Sequence, residues 1–154
     1  MPVEVGDIAP EFTLPDQNHQ LVSLADFQGS RNVLVVFYPL AFSRVCSGEL
    51  AAIREDLPRL QNDTVQVLTI SVDSFFVHKV WAEQEGFDFP LLSDFWPHGA
   101  VAQSYGVFDE QKGTARRGTF LVDADGIVRW KVVTGIGVAR SADDYAGAVA
   151  ALAP

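Results

Sequence analysis

Cys46 is the one cysteine of the 154-residue chain, and it follows the segment Tyr38-Pro39-Leu40-Ala41-Phe42-Ser43-Arg44-Val45. An apolar run precedes that segment and an amphipathic one begins at the cysteine. Cys46 is therefore expected in or near the first turn of a helix. Backbone N–H groups and the positive end of the helix dipole gather there and favour the thiolate, the form of sulfur that attacks. Ser43 lies three residues earlier, where its hydroxyl reaches either the sulfur or an oxygen bound to it; the same hydroxyl suits a helix N-cap. Two readings of Cys46 stand side by side: a small buried apolar side chain, the usual fate of a free cysteine, and a nucleophile. The loop-to-helix position beside Ser43 and Arg44 weighs them evenly. One cysteine excludes an internal disulfide, a zinc site built mainly on thiolates, and a redox pair; Cys46-Ser47-Gly48-Glu49 stands where that pair would be. His19, His78 and His98 are far apart and lack a ligand pattern, so no metal is expected.

The elements around Cys46 read as alternating strands and helices. Asn32 to Phe37, NVLVVF, is a strand apolar on both faces, and Pro39 ends it because proline cannot donate to a ladder. Leu50, Ile53, Leu57 and Leu60 form one helical stripe after Cys46. Gln66 to Ser71 is a second buried strand. Asp73 or Ser74 caps the next helix, with Phe76, Val77, Val80 and Trp81 on its buried face and Gly86 at its end. Phe89 to Leu92 is extended, and Gly99 to Tyr105 is a short helix. Thr119 to Val122 and Ile127 to Val133 are strands joined by a turn at Asp123-Ala124-Asp125-Gly126, where the glycine supplies positive φ. The two aspartates there lack the sixth-position glycine and twelfth-position glutamate of a calcium loop. Ser141 opens a final helix carrying Tyr145, Val149 and Leu152. The order β-α-β-α-β-β-α, with one parallel crossover and a closing hairpin, predicts a thioredoxin-like α/β fold: a mixed central β-sheet flanked by helices. The whole chain, residues 1–154, reads as one domain.

Composition narrows the function. The net charge of −9 and scattered cations, with Arg116-Arg117 the one basic pair, argue against nucleic acid. Apolar residues, 48% of the chain, recur in short runs, far from the roughly 18 in succession that span a membrane. The N-terminus, with Glu4 and Asp7, has neither a basic n-region nor an apolar h-region. A cytoplasmic protein is expected.

Pro39-x-x-x-Ser43-x-x-Cys46 resembles the peroxiredoxin active-site motif, Pro-x-x-x-Thr/Ser-x-x-Cys. Further stretches match in order: Gly6-Asp7-x-Ala9-Pro10-x-Phe12-x-Leu14, Ser71-Val72-Asp73-Ser74 followed by His78 and Trp81, Phe89-Pro90-Leu91-Leu92-Ser93-Asp94, and Arg117-Gly118-Thr119-Phe120-Leu121-Val122-Asp123. The resemblance covers nearly the whole chain. Within the family, Phe37 to Phe42 and Ser93 to Val101 resemble the one-cysteine alkyl hydroperoxide reductase E type of actinobacteria. Serine at position 43, where threonine is commoner in the family, keeps the hydroxyl.

The resemblance implies a thiol peroxidase in which Cys46 attacks the peroxide. Ser43 hydrogen-bonds the sulfur or the peroxide, and Arg117 holds positive charge near both. Pro39 shields the sulfur, and Glu49, one turn after Cys46, orients Arg117 through an ion pair. Each helper also has a plainer reading: a solvated arginine, an N-cap, a strand end, a surface glutamate. Trp81 is expected in the core, and His78 is expected to satisfy polar neighbours. Phe95-Trp96 either walls an approach for alkyl peroxides or forms a dimer contact. No cofactor is implied. With no second cysteine, the sulfenic acid formed on Cys46 must be reduced by an external thiol, mycothiol with a mycoredoxin or thioredoxin. The family resemblance further implies a homodimer. A peroxide-sensing relay or binding module on the same fold, with slow turnover, is the alternative.

Overall fold

The structure, a computed structural model, describes residues 2–152. β1 (Thr13–Pro15) and β2 (Leu21–Ser23) form a hairpin, β3 (Asn32–Phe37) follows, and a loop leads to α1 (Arg44–Glu55) and the one-turn α2 (Leu57–Leu60). Next come β4 (Val65–Ser71), α3 (Phe75–Glu85), β5 (Leu91–Ser93) and α4 (Ala100–Ser104). The small hairpin of β6 (Phe108–Asp109) and β7 (Thr114–Ala115) precedes β8 (Arg117–Val122), β9 (Val128–Thr134) and α5 (Ala142–Leu152). The main sheet has the order β5-β4-β3-β8-β9. β3, β4 and β5 run parallel, while β8 is antiparallel to both β3 and β9. This is the mixed, helix-flanked sheet of the thioredoxin-like fold.

The alternation of β3 divides the core. Val33, Val35 and Phe37 face one layer with Leu68, Ile70, Phe120 and Tyr105. Leu34 and Val36 face the other, with Leu50 and Ile53 of α1, Trp81 of α3 and Tyr145 of α5. Cys46 belongs to that second layer and is fully buried. Burial of each such leucine or isoleucine contributes about 2 kcal/mol, so α1 is held against the sheet chiefly by Leu50 and Ile53. The residue that ends β3 and the residue that begins α1 are thereby fixed, and only the short loop between them is left to be positioned.

Two local expectations change, and one open alternative is decided. The stripe from Leu50 to Leu60 is split, because α1 stops at Glu55 and Pro58, lacking an N–H, cannot continue its ladder. The buried face of α3 is His78, Trp81 and Ala82; Phe76 and Val80 are exposed. Polar His78 lies at the centre of that face because its Nε2 finds partners in the core, Ser71 Oγ at 2.8 Å and Tyr38 Oη at 3.0 Å. Ser74, not Asp73, caps α3, its hydroxyl accepting from Val77 N–H. The turn after β8 is built as its residues imply. Asp123 accepts from the N–H groups of Asp125 and Ile127 and from Arg129, and Gly126 has φ +83°.

Burial lowers the His78 pKa to about 4, against partial support for the cation from Asp73. An unfolded histidine titrates near 6.5, so between those values the unfolded chain binds the additional proton. His78 therefore leaves stability intact above about pH 6.5 and subtracts from it as pH falls towards 4. Between pH 7 and pH 5 this term is about 2 kcal/mol. Urea midpoints at the two pH values should show that loss in the wild type and a smaller one in His78→Gln. Equal losses in both proteins would mean that His78 is not the buried neutral group.

Candidate active site

Cys46 occupies the first turn of α1, two residues past Arg44, where the helix begins. Ser43 holds the N-cap position in extended backbone, and its carbonyl accepts from Ser47 N–H at 2.8 Å. Its hydroxyl makes no capping bond and is not on the sulfur; it donates to the Leu40 carbonyl at 2.9 Å. Pro39 is buried at the start of the loop, and its neighbour Tyr38 is packed in the same apolar layer as Cys46.

Arg117, the first residue of β8, brings its guanidinium to the thiol. Its Nη1 lies 3.2 Å from Cys46 Sγ and 2.6 Å from Glu49 Oε1, while its Nε donates to the Ile136 carbonyl at 2.6 Å. Glu49 is one helical turn beyond Cys46, so both side chains emerge on the same face of α1. Of the expected site residues, Cys46, Glu49 and Arg117 are brought into direct contact. Ser43 and Pro39 lie in the adjoining loop.

A further residue, absent from the expectations, completes the cluster. Arg140, just before α5, donates from its backbone N–H and Nε to Glu49 Oε2 at 2.7 and 2.8 Å, and from Nη2 to Oε1 at 2.9 Å. Its Nη1 reaches Thr119 Oγ1 at 3.0 Å, and that hydroxyl lies 2.8 Å from Tyr145 Oη on α5. Glu49, Arg117 and Arg140 are exposed by only 4%, 3% and 7%, so three charges share a nearly dry site. Burial alone would push the Glu49 carboxyl up. The hydrogen bonds and charge of Arg140, with Arg117 behind them, outweigh it and hold the carboxyl below its ordinary value. Arg140 follows a glycine-rich stretch, Gly135-Ile136-Gly137-Val138-Ala139, and no motif or spacing ties it to Glu49 in the sequence.

Chemically, this is a buried thiol with a guanidinium donor at hydrogen-bond distance. The donor is oriented by a carboxylate that a second guanidinium keeps ionised. A positive donor at 3.2 Å offers charge to an oxygen arriving at the sulfur. Among the described residues, no group of three or more His, Cys, Asp or Glu side chains is arranged to hold a metal ion. Phe95 and Trp96 are exposed and line, with Phe75, Phe76 and Pro15, a hollow of about 340 Å³ that Cys46 does not line.

Comparison with known proteins agrees with this geometry. Residues 5–131 match the family model described as "AhpC/TSA family". The chain is 54% identical over 150 residues to alkyl hydroperoxide reductase E of Mycobacterium tuberculosis, covering 97% of this chain and 98% of that protein. Among solved structures, Enterococcus faecalis AhpC superposes with a TM-score of 0.87 at 32% identity, over 98% of this chain and 92% of that one. Peroxidoxin BcpB from Mycobacterium tuberculosis also gives 0.87, at 28% identity over 98% and 99% of the two chains. The family match and the lone cysteine beside Arg117 lead to one conclusion: the chain belongs to the AhpC/TSA family and is a one-cysteine peroxiredoxin, a thiol-dependent peroxidase.

Proposed function

We propose that the chain, a single domain over residues 1–154, reduces hydrogen peroxide and organic hydroperoxides with Cys46 as the attacking thiolate. The observation that carries the assignment is the Arg117 guanidinium, 3.2 Å from Cys46 Sγ and fixed by Glu49 at 2.6 Å. The thiolate attacks one peroxide oxygen and the O–O bond breaks. The peroxide's proton ends on the sulfur-bound oxygen or on the leaving hydroxide or alkoxide. A second proton, taken from solvent, goes to the other oxygen, so Cys46 is left as a sulfenic acid and the departing oxygen as water or an alcohol. Arg117 stabilises the negative charge as it moves from sulfur to the leaving oxygen. Glu49, backed by Arg140, holds Arg117 in place. Pro39 keeps water from the sulfur. Ser43 exchanges its bond to the Leu40 carbonyl for one to the peroxide.

With Cys46 the only cysteine, the sulfenic acid is reduced from outside. One thiol condenses with it, releasing water and leaving a mixed disulfide; a second thiol then frees Cys46. Mycothiol with a mycoredoxin, or thioredoxin, fits this role, and a thiol recycled in this way suits the reducing cytoplasm. The exposed aromatic face of Phe76, Phe95 and Trp96 supports a homodimer, since contiguous apolar surface usually marks an interface.

Stopped-flow tryptophan fluorescence, with thiol loss followed in parallel, tests the assignment. Prereduced protein should lose its thiol in a second-order reaction with peroxide, and Cys46→Ser should show none. Arg117→Ala should slow that reaction by about 100-fold or more. A wild-type rate in Arg117→Ala would remove Arg117 from the site. Rapid oxidation followed by slow recycling with every thiol and thioredoxin-type protein tried would favour a sensing relay. Glu49→Gln leaves two buried guanidiniums without their counter-ion. It should lower stability by about 3 kcal/mol in urea and slow oxidation as well. An unchanged urea midpoint would show that the cluster tolerates the lost charge.

A further inference from the structure

The loop between β3 and α1 is a tight turn in an unfavourable conformation. The Leu40 carbonyl accepts from Ser43 N–H at 3.4 Å and from Ser43 Oγ at 2.9 Å, closing four residues. Phe42, third in that turn, has φ +68°. Turns with positive φ at that position normally carry glycine, and a bulky residue there costs about 1–2 kcal/mol. Phe42 packs its ring on Trp81, with centroids 5.7 Å apart, yet remains 48% exposed, so packing alone restrains it weakly.

A stronger restraint comes from a polar cluster that the peroxidase chemistry does not use. Asp73 lies just beyond the end of β4. Its Oδ2 accepts from Ala41 N–H at 2.8 Å, in the middle of the turn, and from Ser71 Oγ at 2.6 Å. Ser71 Oγ is also 2.8 Å from His78 Nε2, which in turn lies 3.0 Å from Tyr38 Oη. Ser71, His78 and Tyr38 are fully buried. The cluster thus holds the loop at two points: at Tyr38, where it leaves β3, and at Ala41, next to the strained residue. Between and beyond these points lie Pro39 and Ser43.

We infer that Asp73 is a positioning residue for peroxide reduction, holding the Leu40–Ser43 turn through Ala41 N–H so that Ser43 and Pro39 stand correctly over Cys46. The inference rests on the Cys46 peroxidase reading and adds the residue that sets the loop's geometry. Asp73 touches neither the sulfur nor, by its position, the peroxide. Its effect is on placement, where a displacement of about 1 Å in a reacting group can cost about 100-fold in rate.

The test compares two reactions of the same thiol: oxidation by hydrogen peroxide, and alkylation by iodoacetamide. Alkylation needs the thiolate and access to it, but no hydroxyl aimed at a peroxide oxygen. Asp73→Ala should lower the peroxide rate constant about tenfold or more while leaving alkylation unchanged or faster, so that their ratio falls. Asp73→Asn retains an acceptor for Ala41 N–H and should restore the ratio to within about threefold of wild type. Should Asp73→Ala fail to fold, Ser71→Ala removes the 2.6 Å brace on the carboxylate and should lower the ratio in the same direction. An unchanged ratio in these variants, with only the urea midpoint reduced, would overturn the inference and leave Asp73 a purely structural residue. Failure of the peroxidase reading itself would look different, because the wild type would then show no rapid peroxide reaction to compare.

Discussion

The site depends on the ionisation of one buried carboxylate. Glu49 lies between Arg117 and Arg140, and all three are almost wholly removed from water. Isolated, any of these charges would be driven towards neutrality or out of the interior. Together they satisfy one another through four hydrogen bonds to the two Glu49 oxygens, one from Arg117 and three from Arg140. That requirement brings the start of β8, the first turns of α1 and the segment before α5 to one point. The guanidinium at the sulfur is a by-product of this mutual satisfaction. Arg117 cannot move away from Cys46 without abandoning Glu49.

The fold was legible where apolar periodicity is strong. NVLVVF and QVLTIS announce β3 and β4, and the closing hairpin follows from Asp123 to Gly126. Where polar residues enter the core, the pattern misleads. Hydropathy alone turns Phe76 and Val80 of α3 inward, whereas hydrogen bonds to Ser71 and Tyr38 draw His78 into the core and turn the helix accordingly. The short pairs β1–β2 and β6–β7 left no signal, since strands of two or three residues have too few positions for alternation to show.

The site was legible in part, and for a physical reason. Cys46, Glu49 and Ser43 lie within seven residues, so helical spacing alone relates them. Arg117 is distant in sequence and became visible through its motif. Arg140 had neither spacing nor motif. Its contribution is a long-range contact, shared with Thr119 of β8, whose hydroxyl also meets Tyr145 of α5. In the sequence either Asp73 or Ser74 suits the cap of α3. The chain gives that task to Ser74, which leaves the carboxylate free to reach across to Ala41.

The charge count of the cluster changes during turnover. With Cys46 as thiolate, two guanidiniums face two anions and the buried group is neutral overall. Sulfenic acid is uncharged, so oxidation converts the same set of side chains into a net cation walled in by apolar residues. A buried excess charge is unfavourable. Turnover of a one-cysteine peroxidase therefore passes through a state in which Glu49 alone balances Arg117 and Arg140.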